Sequence, residues 1–269
     1  MKHFAALLAL GSLSLTTVSL HADSLNVLGT AGNFAVLGAT TVTNTGTTVL
    51  NGNLGVAPGT SITGLSTVII SNGAVHDNDA VARQAQIDAL TAYNSLASLP
   101  FTHDLTGQDL GGLTLTPGVY FFSSSAQLTS ALILDFQGLS NQSFVFQTQS
   151  TLTTSSGSSV DLINQGTNDN VYWQIGSSAT LGTTTSFVGT ILADQSITLT
   201  TGATITCGNA LALNGAVTLD TNVISTCGTS IPTVPGPGTT SPVPEPGTLP
   251  LLATGILAAG GAIRRRFAA

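Results

Sequence analysis

Ser150-Thr151-Leu152-Thr153-Thr154, Ala179-Thr180-Leu181-Gly182-Thr183, Ile197-Thr198-Leu199-Thr200-Thr201 and Val217-Thr218-Leu219-Asp220-Thr221 are four versions of one short segment, set 29, 18 and 20 residues apart. Threonine alternating with an apolar residue is the pattern of a strand that points Thr outward and Leu inward. A strand that returns about every 20 residues is one side of a solenoid coil, which buries its apolar face only by stacking on its neighbours. The longer step then holds one insertion, placed at the loop from Asn164 to Asn170.

Two further strands divide each coil. Phe144-Val145-Phe146, Val171-Tyr172-Trp173, Ile191-Leu192-Ala193 and Ala210-Leu211-Ala212-Leu213 are apolar on both faces, so something must cover them outside. Ser159-Val160-Asp161-Leu162, Ser186-Phe187-Val188-Gly189, Thr204-Ile205-Thr206-Cys207 and Val223-Ile224-Ser225-Thr226 form the third side, which is half solvated. The fold class is therefore all-β dominated, a three-faced β-solenoid. The cover is one α-helix over about residues 79–99, opening after Asp77 and Asn78 as candidate caps and closed by Pro100. Ala85, Ala89, Ala92, Leu96 and Leu99 recur at steps of 4, 3, 4 and 3, a stripe of small residues fit for close docking along the solenoid.

Cys207 and Cys227 are one coil apart, in Thr206-Cys207-Gly208 and Thr226-Cys227-Gly228. Stacked coils place them at the same azimuth about 4.8 Å apart, within reach of a disulfide. The expectation is a Cys207–Cys227 bridge, with two buried thiols as the alternative. No Cys-x-x-Cys or His cluster accompanies them, so a metal is not expected.

Composition limits the partners. Charged residues are 6% of the 269, against roughly 25% in an ordinary soluble domain. Four of the five basic residues, Lys2 and Arg264 to Arg266, lie at the ends, leaving Arg83 against eleven aspartates between them. A nucleic-acid interface needs several cations against phosphate and is excluded.

The ends are addresses. Residues 1–22 carry one Lys, an apolar run from Phe4 to Leu20 and Ala22 before Asp23, the order of a signal peptide, and export permits disulfides. The solenoid domain then covers residues 23–228, and residues 229–243 are a Pro/Gly/Ser/Thr linker. Val243-Pro244-Glu245-Pro246 follows, then an apolar stretch over 247–263 at the short limit of a bilayer span, then three arginines that stay cytoplasmic. Residues 244–269 closely resemble the PEP-CTERM sorting signal of Gram-negative bacteria that secrete exopolysaccharide. The resemblance implies processing by an exosortase near Pro244-Glu245-Pro246 and delivery to the cell surface or matrix, with membrane contact only through this transient anchor.

Catalysis finds little support. A glycosidase needs two carboxylates about 5 to 9.5 Å apart, for which Asp135, Asp161, Asp194 and Asp220 are the candidates. His76 and His103 have no Ser/Asp motif around them. Asp77-Asn78-Asp79 lacks the Gly and Glu of a calcium loop and reads as a helix cap. The glycines punctuate turns and do not precede a helix as phosphate cradles do. No cofactor is expected.

What remains is threonine, about forty of it. Outward side chains are about 6.6 Å apart along a strand and about 4.8 Å apart between coils, so a flat face displays hydroxyls and methyls on a rigid grid whose spacing approximates that of oxygens in ice. The competing reading is that Thr is a good strand former on a solvated sheet.

Leu28-Gly29-Thr30-Ala31-Gly32-Asn33-Phe34-Ala35-Val36-Leu37, Asn51-Gly52-Asn53-Leu54-Gly55-Val56-Ala57-Pro58-Gly59-Thr60, Leu113-Thr114-Leu115-Thr116-Pro117-Gly118-Val119-Tyr120 and Val171-Tyr172-Trp173-Gln174 occur in that order. With the coils that follow, they resemble the microbial ice-binding proteins. The resemblance implies a right-handed, discontinuous solenoid in which the N-terminal coils precede the helix and the chain then returns. It also implies adsorption to ice through one flat face, with inhibition of growth or recrystallisation. Thr201-Gly202-Ala203-Thr204 matches the family's Thr-Ala/Gly-x-Thr/Asn pattern, while Thr183-Thr184-Thr185-Ser186 and Thr221-Asn222-Val223-Ile224 depart from it. On that basis the preferred face comprises Thr183, Ser186, Thr201, Thr204, Thr206 and Thr221. Thr151, Thr153, Thr180, Thr198, Thr200 and Thr218 form a competing grid. The expectation is an exported, non-enzymatic protein that binds the ice crystal surface. The alternative is a surface or exopolysaccharide-matrix protein of the same fold, active in structure or adhesion.

Overall fold

The computed structural model describes residues 27–227. The chain divides into two units, Met1–Ile231 and Pro232–Ala269, and the described residues all belong to the first. The expected signal peptide, linker, sorting motif at Val243 to Pro246 and apolar stretch over 247–263 lie outside them. Among the described residues, no helix is long and apolar enough to cross a membrane.

Three parallel sheets of nine, seven and eight strands wrap the core. Sheet I holds the doubly apolar strands, among them Ser143–Thr148, Asn170–Ile175, Thr190–Ala193 and Ala210–Ala212. Sheet II holds the Thr-Leu-Thr strands, including Leu152–Thr154, Ala179–Leu181, Ile197–Leu199 and Val217–Asp220. Sheet III holds Ser159–Ile163, Ser186–Val188, Thr204–Thr206 and Val223–Ser225. The longest step contains the loop between Ile163 and Asn170, where the insertion was expected.

The stack does not follow the chain. Val36 lies opposite Ala210, Val42 opposite Val217 and Val49 opposite Val223, so the first coil of the sequence packs on the last. After the helix, the chain restarts at the far end with His103–Asp104 and climbs back. This seam is the discontinuity implied by the resemblance, and it brings strands Thr41–Thr45 and Ser61–Thr63 onto the same sheet as Val217–Asp220.

Inward side chains stack coil on coil. Tyr120, Phe146 and Trp173 are in register in sheet I, with ring centroids 5.4 and 3.9 Å apart, and the file continues through Ile191 to Ala210. Trp173 is fully buried and donates its indole N–H to the Val188 carbonyl at 3.0 Å, so this large ring costs no unmet hydrogen bond.

The helix spans Ala80–Ala97, slightly inside the expected limits. Its cap is Asp79, whose carboxylate accepts the Ala82 N–H at 2.9 Å, and not Asp77 or Asn78. Ala82, Ala85, Ala89, Ala92 and Leu96 are buried against Leu37, Val145, Tyr172, Leu192 and Leu211 of sheet I, while Leu99 is partly buried. Small side chains let the helix approach closely, which explains how sheet I can be apolar on both faces.

Cys207 and Cys227 are bonded, with their Cα atoms 4.0 Å apart, closing the last coil where it meets the one before.

Candidate functional site

Sheet II carries one unbroken file of threonines. Pairing register sets Thr153, Thr180, Thr198, Thr218, Thr43 and Thr63 side by side, with Gln127 beyond Thr153. At about 4.8 Å per rung, the six span about 24 Å. The alternate residues Leu152, Leu181, Leu199 and Leu219 are buried, so packing from beneath holds each Thr outward. None of the six hydroxyls bonds another protein group, and each is left for water.

Two flanking files widen the face. On one side stand Thr151, Ser178, Ser196, Ala216, Thr41 and Ser61, their register fixed by N–H donation from Leu152 to Ser178, Ala179 to Ser196 and Ile197 to Ala216, and by pairing of Thr41 with Ser61. On the other stand Ser155, Gly182, Thr200, Asp220 and Thr45. Asp220 is the one carboxylate in the two flanking files, and it accepts the hydroxyls of Thr201 at 2.5 Å and Thr221 at 3.0 Å. Asp109 stands beside Gln127 at the end of the central file and accepts the Thr129 hydroxyl. Burial pushes its pKa up, but hydrogen bonds from Thr129 and Gly111 outweigh that and leave it below the ordinary range.

The residues expected on the preferred face separate. Ser186 and Thr204 pair on sheet III, and Thr206 stands two residues on, between Val188 and Ser225. The Ser186–Thr204 file runs from Ala131 and Ser159 to Val223, Val49 and Ile69, and the Thr206 file from Ile133, Asp161 and Val188 to Ser225, Asn51 and Ser71. Thr183, Thr201 and Thr221 lie on the corner between sheets II and III, outside any strand. These six are thus divided between sheet III and the corner and do not share one sheet face. Of the competing set, Thr153, Thr180, Thr198 and Thr218 occupy the central file, with Thr151 and Thr200 beside it. Thr43 and Thr63 were missed because they precede the helix, and only the seam returns them to this sheet.

Of the candidate catalytic aspartates, Asp135 and Asp161 lie on adjacent strands of sheet III, two residues out of register, with Asp135 held by Asn164, and the other two stand apart from them. Asp194 is held by Asn214 and Gln195 in the corner between sheets I and II, and Asp220 edges sheet II. His76 bonds Asp79 at 2.8 Å beside the helix cap. No group of three or more metal-ligating side chains occurs among the described residues.

Comparison with known proteins gives the family. A family model described as "Ice-binding-like" matches residues 36–225, and one described as "PEP-CTERM protein-sorting motif" matches 242–266. The chain is 54% identical over 267 residues to an ice-binding protein of Nostoc sp. (strain HG1), covering 99% of this chain and 97% of that one. It is 31% identical over 215 residues to ice-binding protein K3-B1 of Typhula ishikariensis, covering 72% and 87%. Among solved structures, an ice-binding protein from an Antarctic biological consortium superposes with a TM-score of 0.71 at 45% identity, covering 82% of this chain and 96% of that one. An ice-binding protein from the Antarctic ascomycete Antarctomyces psychrotrophicus gives 0.70 at 42% identity, covering 74% and 96%.

Proposed function

Because the chain belongs to the ice-binding-like family, we propose that it is exported and adsorbs to ice through the threonine files of sheet II, slowing crystal growth or recrystallisation without any catalytic step. The observation that carries this reading is the central file from Thr153 to Thr63, six threonines in register with every hydroxyl free. Water above such a face meets hydroxyls that anchor it and methyls that order it, and it meets almost no charge. Each contact is weak. The array is rigid before binding, however, so little conformational entropy is lost on adsorption and the contacts accumulate.

The sorting motif supports processing by an exosortase and delivery to the cell surface or matrix, with the apolar stretch over 247–263 as a transient anchor. That motif also favours a second reading, a scaffold of the surface or exopolysaccharide matrix that keeps the fold without the activity. Polycrystalline ice held just below melting separates the two. With the protein present, grains stay small under the ice reading, and Thr218→Tyr lets them coarsen. Grains that coarsen equally with and without the protein support the scaffold.

A further inference from the structure

The corner between sheets II and III repeats one backbone conformation on five successive coils. Gly157, Thr184, Gly202, Thr221 and Gly46 all have positive φ, of 71°, 56°, 72°, 54° and 69°. Their amides mark the stacking order, since Gly157 donates to Thr183, Thr184 to Thr201, Gly202 to Asp220 and Thr221 to Thr45. Glycine and threonine alternate over these five coils, and glycine recurs at Gly64 (φ 72°) on the coil beyond Gly46. Glycine adopts the conformation freely, whereas a β-branched residue there is a strained outlier.

Both threonines are exposed, so neither fills the core. Gly46 makes room for Thr221, whereas Gly202 and Gly157 leave space that a side chain could occupy. A Cβ at Gly46 would stand 2.3 Å from the Thr221 hydroxyl, and the Thr184 methyl lies 3.5 Å from where a Gly202 Cβ would be. Their hydroxyls are bonded within the protein, Thr221 to Asp220 and Thr184 to the Thr183 carbonyl, which fixes the side chains. Three equivalent coils show that the corner closes without a side chain. A conformational cost accepted where glycine would serve, at a solvent-facing position beside a binding face, marks function.

We infer that Thr184 and Thr221 are ice-contacting residues, forming a strip that borders the free hydroxyls of sheet II and widens the adsorbing surface around the corner. This rests on the ice-adsorption reading above. The test is the double variant Thr184→Asn/Thr221→Asn, because Asn tolerates positive φ. A second variant, Thr184→Gly/Thr221→Gly, matches the neighbouring coils. Relief of strain raises the melting temperature of the Asn variant by about 2–4 °C per site, while both variants lose recrystallisation inhibition several-fold. A higher melting temperature with full inhibition overturns the inference, since the threonines are then merely tolerated. A lower melting temperature in both variants overturns it too, by making their role structural. Thr198→Tyr, run alongside, separates the two claims. If it abolishes inhibition while the double variants keep it, only this inference fails; if the parent protein itself does not inhibit, the reading of sheet II fails as well.

Discussion

Gln147 donates its side-chain amide to the carbonyl of Leu96 at 2.7 Å, tying the third strand from one edge of sheet I to the last turn of the helix. The same amide reaches the Leu99 carbonyl at 2.9 Å. Helix C-termini leave carbonyls without intrahelical partners, and here a buried strand residue supplies the donor. Replacing Gln147 with Leu removes both bonds and is expected to cost about 1–3 kcal/mol, read as a lower denaturation midpoint.

The alanine stripe sets how close the helix lies. Ala89 is fully buried between helix and sheet. Ala89→Leu forces the layers apart and should destabilise by about 1–3 kcal/mol, whereas Leu90→Ala on the exposed side should change the melting temperature little.

The Cys207–Cys227 bond fastens the coil on which the N-terminal coils stack. Removing it with Cys207→Ser/Cys227→Ser should cost about 2–4 kcal/mol. Amide exchange should then rise first in strands Thr41–Thr45 and Thr48–Asn51, whose partners belong to the released coil.

Acid should loosen the fold at identifiable places. Asp79 is held below the ordinary carboxylate range by the Ala82 amide and then His76, Asp88 by the Thr30 hydroxyl and then the Thr30 amide, and Asp135 by Asn164 and then the Gln137 amide. A depressed folded pKa contributes stability that is present above the unfolded value, near 4, and is lost as pH falls through the folded value. The melting temperature should therefore be level above about pH 5 and fall below about pH 4. Asp88→Asn should make that decline shallower.

Much of this was legible in the sequence because each coil repeats its own physics. The Thr-Leu alternation located sheet II, the doubly apolar runs located sheet I, the alanine stripe located the helix that covers it, and a separation of one coil paired the cysteines. Which threonines share one face was harder to read. Both solvated sides carry threonine, and spacing along the chain does not reveal which threonines stand in register across coils. Thr43 and Thr63 join Thr218 only through the seam, a contact between residues far apart in the sequence. Thr183, Thr201 and Thr221 looked like strand positions, but positive φ at Thr184, Gly202 and Thr221 turns the chain there and puts them on the corner. Gln147 carried no signal beyond being one polar residue in an apolar strand.

The most direct test of the face is partition into ice. Protein labelled with a fluorophore is frozen slowly onto a cold probe, and the fraction taken into the ice is compared for the parent, Thr198→Tyr in the middle of the central file, and Thr204→Tyr on sheet III, all at equal melting temperature. The account predicts that the parent and Thr204→Tyr enter the ice while Thr198→Tyr stays in the liquid. Entry of Thr198→Tyr with exclusion of Thr204→Tyr would contradict it by moving the site to sheet III, and exclusion of the parent would contradict ice adsorption altogether.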